Sequence, residues 1–89
     1  TEPTDDGAFA LRVFPNPARH EATVEYHAAQ PTEATLRLSD LSGRVRWQHV
    51  HAATPGLNQI RVPLRLGAGL YLLRLEDETG QRVRKVVVD

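Results

Sequence analysis

The sequence predicts an all-β protein, a seven-stranded antiparallel β-sandwich of immunoglobulin-like type. Three observations indicate this class. Short segments with alternating apolar and polar residues recur along the chain, each bounded by proline, glycine, asparagine or aspartate. These turn signals come about every 8–12 residues, the usual spacing of short sandwich strands. No segment carries a convincing helical periodicity.

Length and composition restrict the class of function. The chain has 89 residues, which suits one small domain and leaves little room for a deep catalytic cleft. Eleven acidic residues balance eleven basic ones, so no broad field favours nucleic acid or an anionic membrane. The absence of cysteine excludes a disulfide, a thiol nucleophile and a thiolate zinc site. No apolar run approaches the roughly 20 residues of a membrane span, and we expect any secretory signal to lie upstream.

The first part of the chain predicts a linker and a short strand. Residues 1–8 are polar, acidic and interrupted by proline, so we interpret them as a linker that joins this module to something larger upstream, with the folded domain spanning residues 9–89. Residues 11–14 predict a strand that Pro15-Asn16-Pro17 ends. Because proline cannot donate to a sheet, this segment is expected to form a kinked edge or corner.

Two alternating strands and a turn follow. The segments 22–27 and 34–39 predict strands, and a turn is expected at residues 40–43, where the Asp40 carboxylate can accept from amides ahead of it and Gly43 can adopt a left-handed conformation. The residues expected to face the core are Val24, Tyr26, Ala34, Leu36 and Leu38.

The next two strands are predicted at residues 44–50 and 57–64. Alternation places Val45 and Trp47 on the core side of the first. Pro63 makes the second an edge strand. The residues of this second strand expected on one face are Asn58, Ile60, Val62 and Leu64.

Residues 66–75 predict the central strand. Gly67 and Gly69 indicate a flexible corner where the chain crosses between the sheets. Residues 77–80 have the composition of a tight hairpin loop, and residues 81–88 are then the partner strand. In the central strand Tyr71, Leu73 and Leu75 are expected to face the core, and Leu70, Leu72 and Arg74 to face outward.

Candidate chemical sites are weak. His49 and His51 share a strand face and could hold a metal, but no third ligand is tied to them by spacing, so we interpret them as solvated edge residues. Asp77 and Glu78 lie at a hairpin tip, where neither burial nor a charged neighbour would tune their acidity. Ser39 and Ser42 lack a nucleophile elbow and an activating histidine. We therefore expect no enzyme, no cofactor and no metal.

The aromatic residues admit an alternative function, a carbohydrate-binding accessory module of a secreted glycoside hydrolase. Trp47, Tyr26 and Tyr71 could stack on sugar rings if exposed, although alternation favours core packing for all three. A passive immunoglobulin-like spacer is a further alternative.

The last strand has two interpretations that the residues alone leave open. Residues 82–88 join a basic cluster to three consecutive valines. Val83 or its neighbours could pack on the core while the cations protect an edge. Alternatively, the strand could be a terminal tag that a receptor binds.

Four motifs together resemble a known family. They are Phe14-Pro15-Asn16-Pro17-Ala18, Leu38-Ser39-Asp40-Leu41-Ser42-Gly43-Arg44, Gly69-Leu70-Tyr71-Leu72-Leu73-Arg74-Leu75 and Lys85-Val86-Val87-Val88. In this order and spacing they look like the C-terminal sorting domain, type A, of the type IX (Por) secretion system. The resemblance spans residues 11–89.

The resemblance implies a non-catalytic signal. In that family the domain is an immunoglobulin-like β-sandwich at the C-terminus of proteins secreted by certain Gram-negative bacteria. It directs a larger cargo from the periplasm through an outer-membrane translocon. A sortase-like cysteine peptidase at the surface then commonly removes it and attaches the cargo to an anionic lipopolysaccharide. The implied location is secreted or cell-surface.

The resemblance also assigns residues. The family often ends in lysine or arginine after the valines, whereas this chain ends in Asp89. The implied recognition residues are Gly67, Gly69, Leu70, Leu72, Lys85, Val86, Val87 and Val88. The implied structural residues are Pro15, Asn16, Pro17, Asp40, Gly43 and Tyr71.

Overall fold

The computed structural model describes residues 11–89, and these residues form seven β-strands and no helix. The predicted linker, residues 1–8, lies outside the described residues. No helix in the described part of the chain is long and apolar enough to cross a membrane. The strands are β1 (Leu11–Phe14), β2 (Glu21–Ala28), β3 (Thr32–Asp40), β4 (Val45–Ala53), β5 (Gly56–Pro63), β6 (Gly69–Asp77) and β7 (Gly80–Val88).

The strands form two antiparallel sheets that pack as a sandwich. The three-stranded sheet has the order β1-β2-β5, and the four-stranded sheet has the order β4-β3-β6-β7. The chain therefore crosses between the sheets after β5, where the sequence predicted a crossover. β5 is an edge strand that ends at Pro63, as the missing proline donor requires. The predicted fold class is confirmed.

The core lies between the two sheets and consists of residues from the inward face of each strand. Val24 and Leu36 are fully buried, and Asn58 is the buried polar residue of the described chain. The Asn58 side-chain amide donates to the carbonyls of Thr54 and Gly56, and its oxygen accepts from the Thr54 amide, so its polar atoms are satisfied at the β4–β5 turn. The predicted inward residues of β2, β3, β5 and β6 all lie in this core: Val24, Tyr26, Ala34, Leu36, Leu38, Asn58, Ile60, Val62, Tyr71, Leu73 and Leu75, with Leu64 just beyond β5.

The prediction for β4 was wrong for Val45. A register shift pairs Leu38 with Trp47 but Ser39 with Val45, so Arg46 is an extra residue in β4. Residues directly opposite each other in a sheet point to the same side, and a bulge reverses the alternation on one side of it. Trp47 is opposite the buried Leu38 and consequently packs against the core. Val45 is opposite Ser39, so it points away from the core and is 46% exposed.

Of the two interpretations left open for the last strand, the one in which Val83 or its neighbours pack on the core holds for the neighbours, because Val83 itself faces outward. It is 40% exposed, while Val86 and Val88 are buried at 1% and 2%. The inward side of β7 is thus apolar only at its C-terminal end, where Val86 is opposite Tyr71 and Val88 is opposite Gly69.

Candidate functional site

The β6–β7 hairpin brings the two sequence motifs that contain the predicted recognition residues onto adjacent strands. Leu70 is opposite Val87 and Leu72 is opposite Lys85 in an uninterrupted antiparallel register. The turn is held by the Asp77 carboxylate, which accepts from the Thr79 amide at 2.9 Å and from the Thr79 hydroxyl at 2.6 Å. A segment near residue 70 and the end of the chain therefore form one continuous surface.

Alternation divides the predicted recognition residues between two environments. Leu70 and Leu72 are half-buried on the outer face of the four-stranded sheet, beside the exposed Lys85 and Val87. Val86 and Val88 lie in the core, so their side chains are closed to a partner while the domain is folded. Their part in the folded domain is packing, and the recognition role of the other residues stays a prediction.

The corner before β6 is held by Tyr71. Its ring is buried in the core, and its hydroxyl donates a hydrogen bond of 2.7 Å to the carbonyl of Gly67. Immunoglobulin-like sandwiches have a comparable tyrosine corner, in which the tyrosine hydroxyl forms a hydrogen bond to the backbone a few residues upstream. Gly69 has a positive φ of 157°, whereas Gly67 does not have a positive φ. The corner is exposed at both glycines.

Asn16 joins the first motif to the last one. Its side-chain amide donates to the carbonyl of Lys85 at 3.1 Å, and its side-chain oxygen accepts from the amide of Val87 at 2.9 Å. The asparagine thus pairs with β7 as a neighbouring strand would, on the edge opposite β6. Pro15 and Pro17 flank it, so the proline segment forms the predicted corner and covers a sheet edge.

Ala18 extends this contact to the end of β7. Its amide donates to the Val87 carbonyl at 2.7 Å, and its carbonyl accepts from the Asp89 amide at 2.8 Å. The two segments run parallel here, and Ala18 is fully buried. The edge of the terminal strand is therefore closed over residues 85–89.

Asp40 has the predicted structural role in the β3–β4 turn. Its carboxylate accepts from the Ser42 hydroxyl at 2.6 Å and from the amides of Ser42 and Arg44 at 3.0 Å. These bonds, led by the one from the Ser42 hydroxyl, lower the pKa of Asp40 because they stabilise its charged form, although desolvation partly opposes them. Gly43 follows with a φ of 93°, as the turn requires.

The structure does not favour the alternative sites, namely the aromatic sugar-binding site and the histidine metal site. Tyr26 and Tyr71 are buried, and Trp47 packs against the core and stacks on His49 with 5.8 Å between ring centres. His51 lies 3.3 Å from the Asn58 side-chain oxygen. Within residues 11–89, no three histidine, aspartate or glutamate side chains are grouped so that they could hold a metal ion.

Three of the residues that were weighed as catalytic candidates, Asp77, Glu78 and Ser42, have structural contacts. Asp77 holds the hairpin turn, and the Glu78 carboxylate accepts a hydrogen bond of 2.6 Å from the side-chain amide of Gln30. Ser42 donates to Asp40. These contacts fit turn formation at the surface.

Sequence reasoning missed two features of this site. Arg74 was predicted to face outward, but its position opposite an outward Val83, which completes the outer face of the hairpin, was missed, and the period of two in the last strand would have found it once the register was known. The contact of Asn16 with β7 joins residues 71 positions apart, and no local pattern announces it.

Fold and site together define a small β-sandwich domain whose distinguishing motifs lie on the β6–β7 hairpin and on the segment that covers its edge. The family model described as "Secretion system C-terminal sorting domain" matches residues 12–89. The chain therefore belongs to the family of type IX (Por) secretion C-terminal sorting domains. Domains of this family are generally non-catalytic and belong to secreted or cell-surface proteins.

One solved structure supports the fold. The chain is similar to part of dimeric latent PorU from Porphyromonas gingivalis, with a TM-score of 0.72 and 21% sequence identity. The match covers 88% of this chain and 9% of that one. No curated protein matches the chain.

Proposed function

We propose that the domain is a non-catalytic signal that directs a larger cargo protein across the outer membrane by the type IX system and leads to its attachment at the cell surface. The cargo would precede the domain in the same chain and pass through the periplasm before export. The partners would be the outer-membrane translocon and a sortase-like peptidase at the surface.

The observation that carries this proposal is the β6–β7 hairpin. It combines both motifs implicated in recognition into one surface with outward leucines, a valine and a lysine. The rest of the described chain holds this hairpin in place, through the core on one side and Asn16 on its edge. Such a structure is suited to being bound as a folded unit.

A reporter fusion tests the proposal. Residues 1–89 are fused to the C-terminus of a periplasmic reporter in a host with a working type IX system, and the reporter is measured in the periplasm, on the surface and in the medium. A matched fusion carrying only residues 1–10 is the control. We expect the full fusion to leave the periplasm and the control to remain there. Retention of the full fusion, while the host exports its own cargoes, would contradict the proposal.

A truncation separates this function from that of a passive spacer. A spacer predicts normal export after deletion of residues 81–89, because it contributes only length. The proposed signal predicts loss of export, because the deletion removes one strand of the hairpin and two buried valines.

A further inference from the structure

We infer that the export machinery contacts the outer face of the β6–β7 hairpin, and that this face fits a protein partner with apolar side chains flanked by carboxylates. The inference rests on the proposed function and deepens it, because it specifies the surface that is bound and the chemistry of its partner. It also separates the face of the hairpin from the edge of its terminal strand.

The face consists of three cross-strand pairs. They are Leu70 with Val87, Leu72 with Lys85, and Arg74 with Val83. Val83 and Val87 are 40% and 38% exposed, and the two leucines are half-buried beside them. We name these six residues the hairpin face. A contiguous apolar group on a small surface marks an interaction site more often than single exposed apolar residues do.

The charges on the hairpin face are of one sign. Neither Arg74 nor Lys85 forms an ion pair with any carboxylate in the described part of the chain, whereas the neighbouring Arg37 contacts Glu76 at 2.8 Å. Two cations therefore lie among four apolar side chains, and within the described residues neither is in ion-pair contact with a carboxylate, although Asp40 borders the same shallow depression as Arg74. Charge complementarity then requires carboxylates on the partner, arranged around an apolar centre.

Over residues 85–89 the edge of β7 is not available for the other common mode of recognition, in which a partner adds a strand. Asn16 and Ala18 already take the outward amide of Val87 and the outward carbonyls of Lys85 and Val87. Further along the edge, the Arg84 guanidinium donates to the carbonyl of Leu11 at 3.2 Å. A partner that binds the last residues of the terminal strand in the folded domain must therefore contact the side chains on its face.

A second copy of the chain fits this face poorly. A two-fold dimer would place Arg74 and Lys85 of both copies in one small patch. The nearest acid on this face of β6, Glu76, is already paired with Arg37. Like charges at such a contact disfavour association.

A pair of valine variants tests the apolar part of the inference. Val87→Ser changes the hairpin face, and Val50→Ser changes a valine that is 49% exposed on the same side of the sheet, in edge strand β4. In the reporter fusion we expect Val87→Ser to lower the exported fraction about tenfold, as loss of an important interface side chain does. Val50→Ser should export like the unmodified fusion. Thermal unfolding of the 89-residue chain must show both variants folded.

A charge pair tests the polar part. Lys85→Glu should reduce export by about tenfold because it opposes the carboxylates of the partner, and Lys85→Arg should retain export because it keeps the charge. The control is Arg61→Glu in β5 of the other sheet, where the side chain is 77% exposed, and it should export normally.

Three results would overturn the inference. Normal export of both folded variants, Val87→Ser and Lys85→Glu, would show that the face is not read. Equal losses for the controls Val50→Ser and Arg61→Glu would show that the effect is not specific to it. Sedimentation of the unmodified chain as a dimer that Val87→Ser dissociates would assign the face to a second copy. Retention of the unmodified fusion in the periplasm is different, because it refutes the proposed function itself.

Discussion

At the scale of single residues, three side chains form hydrogen bonds to the backbone that main-chain groups usually form. Asn16 pairs with β7, Tyr71 holds the corner at Gly67, and Asp40 organises the β3–β4 turn. Each replaces a backbone partner where the chain bends and regular pairing stops. This explains why a domain of this size needs specific residues at its corners as well as a core.

Tyr71 has two separable contributions to stability. Tyr71→Phe keeps the ring and removes the hydroxyl bond to Gly67, so we expect the free energy of unfolding to fall by about 1 kcal/mol. Tyr71→Ala also empties part of the core and should cost about 3–5 kcal/mol. Urea unfolding of the 89-residue chain measures both. A loss below about 1 kcal/mol for the alanine variant would contradict the inward orientation of Tyr71.

Asn16 should control the protection of the terminal strand. Asn16→Ala removes two hydrogen bonds from the β7 edge, and we expect a loss of about 1–3 kcal/mol with faster hydrogen exchange at the Val87 amide. Asn16→Asp keeps the acceptor for Val87 but loses the donor to Lys85, so its effect should be intermediate. The Tyr26 amide in β2 serves as an internal reference after correction for the change in global stability. Unchanged exchange at Val87 would be inconsistent with the contact.

Asp40 should make the stability of the domain depend on pH in the acidic range. Because the pKa of Asp40 is lower in the folded state than in the unfolded state, the carboxylate contributes its full stabilisation at pH values above the pKa of an unperturbed aspartate. The contribution is lost as the pH falls below about 4 and through the lowered folded pKa. Asp40→Asn should therefore flatten the decline of the urea midpoint between about pH 5 and pH 2. Glu33→Gln, at an exposed position of the same strand, is the control. An identical decline in the Asp40 variant and the unmodified chain would refute this account.

At the scale of elements, β7 shows how alternation assigns adjacent valines to different tasks. Val86 and Val88 complete the core against β6, and Val87 between them belongs to the hairpin face. The sequence Val86-Val87-Val88 alone does not reveal this division, because the phase depends on the register with β6. The hairpin could be predicted from its turn residues, but the side of each valine could not.

Adjacent valine substitutions test that division. Val86→Ala removes buried methyl groups and should cost about 2 kcal/mol, whereas Val87→Ala should change stability by no more than about 0.5 kcal/mol. Urea unfolding of the two variants gives the comparison. Equal effects, or a larger effect at Val87, would mean that β7 has the opposite phase.

The strand β4 marks the limit of prediction from periodicity. Its segment was found correctly, but the extra residue Arg46 reversed the side of Val45 while leaving Trp47 against the core. An edge strand tolerates such a bulge because it has only one neighbour to remain in register with. A count of period two cannot detect an insertion whose cause is pairing with another strand.

At the scale of the whole molecule, the first and last motifs are parts of one structure. The sequence predicted the strands, the turns and most of the core, because each depends on residues close together in the chain. It did not predict that Asn16 and Ala18 would pair with Val87, because this contact requires the folded sandwich to bring residues about 70 positions apart together. The family assignment and the fold agree, and the long-range contact joins the first motif to the terminal hairpin.

The central claim is that the folded domain is sufficient to send a cargo through the type IX system. The most direct measurement compares the reporter fused to residues 1–89 in two otherwise identical hosts, one with a working type IX translocon and one without it. We predict reporter on the surface or in the medium of the first host, and reporter confined to the periplasm of the second. Release from both hosts, or confinement in both while the first exports its own cargoes, would contradict the claim.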